Sequence, residues 1–269
     1  MHLKRWITAV AALPFLILLV LKGGPLLFAI FIGIVSIIAL REYHRIVLNP
    51  LEITGQNAMP FLGCVIAPVV TGVAYFNSFE MVLMLIAFIL ILTALISLPQ
   101  FKSNPRVTEI VIRQVFGIIY IPLFLSFLVF IRNGPDGIIW IFFLLIVIFA
   151  GDTGAFYVGS YFGRHKLCPS ISPGKTIEGS VGGLIANLGI GVLYMRFFLP
   201  SLPWGTGILF LLSIGAAGQV GDLFESQLKR AGDIKDSGGI LPGHGGILDR
   251  IDALLFAAPL AYLFKKFVF

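Results

Sequence analysis

The chain has 269 residues, of which 58% are hydrophobic and only 12% charged, and its mean hydropathy is +1.00. An ordinary soluble domain carries about 25% charged residues, so water could not solvate a fold this apolar; lipid is the solvent that fits. The net charge of +6 does not point to nucleic acid, because the cations sit in short loops between apolar runs rather than in an aromatic-basic patch; an anionic leaflet, or an anionic substrate at its surface, is the expected partner.

The first apolar run, 6–22, follows Met1-His-Leu-Lys-Arg and imitates a signal peptide, but Ala9-Val-Ala11 comes too early for cleavage, so it reads as a retained span. Further runs of spanning length, about 20 residues, fall near 25–41, 58–76, 80–98, 110–131, 138–161, 179–199, 207–228 and 250–269. Gly23-Gly24-Pro25, Asn49-Pro50, Asn104-Pro105, Gly134-Pro135 and Pro200 to Pro203 punctuate the joints. The expected fold is all-α, a polytopic integral membrane protein of about nine transmembrane helices. Residues 1–135 would hold about five of them, and 136–269 about four that form a catalytic region. Cys64 and Cys168 make no CxxC pair, which argues against a thiol metal site or a disulfide framework.

Nine spans place the N-terminus and the loops after spans two, four, six and eight on one side. That side receives 14 of the 19 lysines and arginines and is the cytoplasmic one. The acids are uneven along the chain: eight of 13 lie between Asp152 and Asp252. Asp152 and Asp222 come roughly 21–22 Å down their helices from the outer face, at 1.5 Å per residue. Glu178, Asp249 and Asp252 start helices that enter from the cytoplasm. Acids from four helices therefore converge just inside the cytoplasmic boundary, where a buried carboxylate is costly and usually functional.

The longest polar stretch runs from Gly221 to Asp252. If the eighth helix continues, Asp222, Glu225, Ser226 and Lys229 share one face. Five glycines between 238 and 246 let backbone N–H groups approach an anion. Asp249 and Asp252, three apart, share a helical face, and carboxylates with few histidines suit Mg²⁺. Lys229, Arg230, Lys235 and Arg250 supply positive charge for a polyphosphate. Upstream, Ser172-Pro-Gly-Lys-Thr-Ile-Glu178 resembles part of a P-loop but lacks its first glycine, since position 169 is Pro. Lysine and hydroxyls at a helix start nevertheless make a reasonable anion site.

The run Ser226-x-Leu-Lys-Arg-x4-Lys-Asp-x-Gly-x2-Leu-Pro-x-His-Gly-Gly-Ile-x-Asp-Arg-Ile-Asp252 resembles the signature of phosphatidate cytidylyltransferases, the CDP-diglyceride synthases, without departure across its 27 positions. Gly151-Asp-x-Gly-Ala-Phe-Tyr-x-Gly-x-x-Phe-Gly-Arg and Ser172-Pro-x-Lys-Thr-x-Glu-Gly resemble that family's second block. The resemblance covers roughly 150–252; the N-terminal spans match only in number and hydrophobicity. It implies that CTP and phosphatidate give CDP-diacylglycerol and pyrophosphate, with Mg²⁺ and room for a monovalent cation such as K⁺. It also implies a homodimer in the cytoplasmic (inner) membrane.

On this reading Asp222 and Asp249 hold the metal, with Asp252, Asp152 and Glu225 as further ligands. Asp222, Asp249, Lys229 and Arg230 are the catalytic set. Ser172, Lys175, Thr176, Glu178, Ser226, Lys235, Asp236, His244 and Arg250 are expected to bind substrate. His244 either contacts pyrophosphate or closes the turn, and Asp233 and Asp236 either orient Lys235 and Arg230 or reach the metal. Gly179, Gly182, Gly183, Ala216, Ala217 and Gly221 fit close helix packing better than chemistry. The competing readings are a cation- or proton-coupled transporter, disfavoured because no acidic relay runs outward, and a CTP-dependent lipid kinase, which would release CDP.

Overall fold

The computed structural model describes residues 13–48, 58–240 and 245–269; residues 6–12 of the first expected span, and His244, lie outside them. The described residues contain nine helices: α1 Leu13–Lys22, α2 Gly24–Val47, α3 Ala58–Tyr75, α4 Phe79–Ser97, α5 Val107–Asn133, α6 Gly137–Phe162, α7 Ile177–Phe198, α8 Trp204–Ala231 and α9 Leu248–Phe267. Six of them, α2 and α4 to α8, are long and apolar enough to cross a membrane. The chain is a multi-pass membrane protein. α4 shows why: Met84, Phe88, Ile91 and Leu95 all stand exposed along it, an arrangement that lipid tolerates and water does not. α9 is as long as a span but carries Asp249, Arg250, Asp252, Lys265 and Lys266.

The one sheet among the described residues is a hairpin, β1 Lys166–Cys168 with β2 Ser172–Thr176, paired antiparallel. The fold is all-α as expected, with this short hairpin as an addition. Thr176 ends the strand in an extended conformation and caps α7, its hydroxyl accepting the Gly179 N–H at 3.1 Å.

The helices and the hairpin fall into two compact units, residues 1–133 with 231–250, and residues 134–230 with 251–269. In the first unit α2 packs along α3, where Gly33 lies against Pro68 and Thr71. Arg113 of α5 donates to the carbonyl of Val47 at 2.7 Å, and Tyr43 donates to Arg113 O at 3.0 Å. That guanidinium satisfies an orphan carbonyl at the end of α2, which is why the helix runs on to Val47, past the apolar run's end near 41. Segment 231–250, expected with the C-terminal region, clusters here: Gly232 lies against Ile46, and Ser237 and Leu248 bond to Glu42 of α2.

In the second unit α6 and α7 approach closely through small residues. A Cβ at Gly179 would sit 2.8 Å from Ala155 O, and one at Gly183 2.9 Å from Gly151 O. Small residues are what let membrane helices meet at this range. One end of the unit is filled by Trp140, Phe143, Tyr194, Phe210 and Phe264 in stacked and edge contacts. The other end is polar.

Candidate active site

Two Gly-Asp pairs build the polar end of the second unit. Gly151 leaves room for the Asn187 amide, and the next residue, Asp152, faces a cavity. Gly221 lets α9 come close, since a Cβ there would stand 2.5 Å from Asp252 O; the next residue, Asp222, faces the same cavity. The cavity measures about 440 Å³, and its walls include Ser172, Gly174, Lys175 and Thr176 from the hairpin, Ser180 from α7 and Gln219 from α8. Lys175 Nζ lies 2.7 Å from Asp222 Oδ2. Asp252 interacts electrostatically with Asp222, Asp152 and Lys175.

Within the cluster around Asp222, three carboxylates interact with one ammonium, a formal excess of two negative charges among these four groups. Among the described residues no three His, Cys, Asp or Glu side chains form a ready metal cage. The ion expected from the sequence, Mg²⁺, is usually held by one or two carboxylates, its own waters and substrate phosphates. The donors are all oxygen, the charge excess equals that of a divalent cation, and the cavity has room for a polyphosphate. Asp152 and Asp222, the two carboxylates on the cavity wall, are oxygen donors of the kind such an ion takes.

Other expected site residues are placed differently. Glu225 is fully buried and pairs with Lys229 one turn on at 2.6 Å, so both charges serve first to neutralise each other inside α8. Arg230 Nε donates to Ile171 O at 3.2 Å and ties the end of α8 to the hairpin. Glu178 does not line the cavity. Its carboxylate accepts the N–H groups of Arg164 and His165 at 3.0 and 3.2 Å and meets His165 Nδ1 at 2.6 Å, holding the base of the hairpin. Ser226 is half-buried on α8. Lys235, Asp236, Asp249 and Arg250 belong to the first unit, where Lys235, Asp236 and Arg250 are exposed. Asp249 accepts the N–H of Ser237 at 3.1 Å and that of Gly246 at 2.8 Å.

Sequence reasoning missed Ser180 and Gln219, which bridge α7 and α8 at the cavity wall: the serine hydroxyl donates to Gln219 Oε1, and Gln219 Nε2 donates to Ser180 O at 2.9 Å. The signal was there for Gln219, three residues before Asp222 on the same helical face. It also missed Glu42, a buried acid of α2.

A model described as the cytidylyltransferase family matches residues 3–268 of the chain. The phosphatidate cytidylyltransferase of Bacillus subtilis (strain 168) is 36% identical over 265 residues, 96% of each chain. That of Staphylococcus haemolyticus is 34% identical over 257 residues, covering 95% of this chain and 96% of that protein. That of Staphylococcus aureus (strain COL) is 34% identical over 263 residues with the same coverage.

Proposed function

The chain belongs to the cytidylyltransferase family, and from that premise we propose that it transfers the cytidylyl group of CTP to phosphatidate, giving CDP-diacylglycerol and pyrophosphate for phospholipid synthesis. What carries the reading is an end-to-end match to phosphatidate cytidylyltransferases in a chain whose cavity gathers Asp152, Lys175 and Asp222, with Asp252 in electrostatic contact with all three.

The nucleophile is a phosphate oxygen of phosphatidate. A phosphomonoester's second pKa is about 6, so this oxygen is largely ionised at neutral pH and no general base is required. A new P–O bond forms to the α-phosphorus of CTP as the bond from that phosphorus to the α,β-bridging oxygen breaks, and pyrophosphate leaves in line. Two anions have to meet, so the protein's task is positioning and charge neutralisation. Lys175 sets a cation against the phosphates, and Ser172 and Thr176 offer hydroxyls beside it. Asp222, with Asp152 and Asp252, would hold Mg²⁺, which when bound neutralises phosphate charge and polarises the phosphoryl group. Asp249 stands as the ligand candidate of the first unit, and a monovalent cation such as K⁺ completes the expected complement.

We place the N-terminus and the polar end of the second unit at the cytoplasmic face of the inner membrane, because 14 of 19 lysines and arginines fall on that side of a nine-span arrangement. A homodimer is proposed from the family resemblance.

Purified protein given phosphatidate, Mg²⁺ and CTP labelled at either the α- or the γ-phosphate tests the reaction. The α label should enter lipid and the γ label leave as pyrophosphate. Label passing to lipid from the γ position would instead mean a kinase and overturn the reading.

A further inference from the structure

Ser237 and residues 246–249, on either side of the glycines at 238–246, bond to acids, and one of these, Glu42, lies 195 residues before Ser237. Glu42 is 5% exposed on α2. Its Oε2 accepts the Leu248 N–H at 2.8 Å and the Ser237 hydroxyl at 3.1 Å, while its Oε1 accepts the Ile247 N–H at 3.1 Å. Leu248 opens α9, and the first N–H groups of a helix have no acceptor within it. A carboxylate brought from another helix fills that role and is favoured by the partial positive charge there.

Ser237, fully buried, is held twice: its hydroxyl by Glu42 and its N–H by Asp249. Asp249 also takes the Gly246 N–H. Gly238 and Gly246 sit directly against the Glu42 carboxylate, and a side chain at either would occupy its space. The N–H groups that a glycine-rich loop would offer to a phosphate are, at Gly246, Ile247 and Leu248, already bonded to the protein's own carboxylates.

We propose that Glu42 is a positioning residue, holding Ser237, Ile247 and Leu248, and with them Asp249, in the arrangement that turnover requires. The proposal rests on the cytidylyl-transfer reading above. It makes a chemical demand that glutamine cannot meet, because both Glu42 oxygens accept hydrogen bonds, whereas an amide would set its own N–H₂ against one of these donors.

The test compares native protein with Glu42→Gln, Ser237→Ala and Asp249→Ala, all full-length and in lipid, by transfer of α-labelled CTP and by backbone hydrogen exchange. Glu42→Gln should lower kcat by about thirtyfold or more, within the 10–100-fold seen when groups that orient ligands are lost. KM for phosphatidate should stay within about twofold, and exchange should rise at residues 237–248 while α6 and α7 keep native protection. Native kcat in Glu42→Gln beside an inactive Asp249→Ala would overturn the proposal alone. Native turnover in Asp249→Ala would remove the loop from catalysis and take the proposal with it. If Glu42→Gln does not fold, Ser237→Ala decides: faster exchange with reduced kcat supports the proposal, and native values of both reject it.

Discussion

Two groups of acids, one in each unit, are partnered differently. In the first, Glu42 and Asp249 receive hydrogen bonds from four donor residues, Ser237, Gly246, Ile247 and Leu248. In the second, Asp152, Asp222 and Asp252 share one ammonium, that of Lys175, and Asp252 also accepts the Ala253 N–H at 2.8 Å, beside a cavity of about 440 Å³. A carboxylate supplied with donors has repaid its desolvation and holds structure together. Carboxylates in excess of their partners have not, and they stay available for a cation and its phosphate ligands. Glu42 is scaffold and Asp222 is proposed for chemistry; Asp249, with two donors and a place in the proposed ligand set, stands between them.

Substitution at the under-partnered acids should break this contrast most visibly. Asp222→Ala should reduce turnover by about 10³-fold or more, on the scale of losing a transition-state charge stabiliser, with the protein still folded by size-exclusion chromatography. Removing divalent ions with a chelator should produce a comparable loss that added Mg²⁺ reverses, measured in the same label-transfer assay. Lys175→Ala removes the cation paired with Asp222 in the cavity wall; kcat/KM for CTP should fall about 10²-fold. Asp152→Asn and Asp252→Asn keep shape but each remove one charge, and 10–100-fold losses with a higher Mg²⁺ requirement are expected.

Effects on stability should be smaller. Thr176→Ala deletes the N-cap of α7 and should cost about 1 kcal/mol, seen as a lower thermal midpoint. Glu109→Ala breaks an exposed pair with Arg113, 3.5 Å apart, and should change stability by less than about 0.5 kcal/mol.

The helices were legible because their apolar runs are long and their joints carry glycine and proline; α6, read as 138–161, spans Gly137–Phe162. Asp152 and Asp222 were legible as intramembrane acids and Gly221 as a packing glycine; the matching role of Gly151 was not. The hairpin was not. Its second strand, Ser172–Thr176, contains Pro173 and Gly174, two residues that strands disfavour, and it shows no apolar alternation. Nor was the partnership of the polar stretch. Glu42 is one acid in an apolar helix, and nothing local announces that Ser237 and Leu248 are its neighbours. The same contact moves the start of α9 to Leu248, before the apolar run near 250, because a carboxylate is waiting there to accept the first N–H groups.

The most direct test of the contrast is turnover in Asp222→Asn, with α-labelled CTP and phosphatidate in the same vesicles as the native protein. The asparagine preserves volume and removes one negative charge from the cavity. Loss of about 10²-fold or more in kcat, in protein that keeps native helix protection, is the predicted result. Native turnover in that variant would contradict the assignment of the second unit's carboxylates to catalysis.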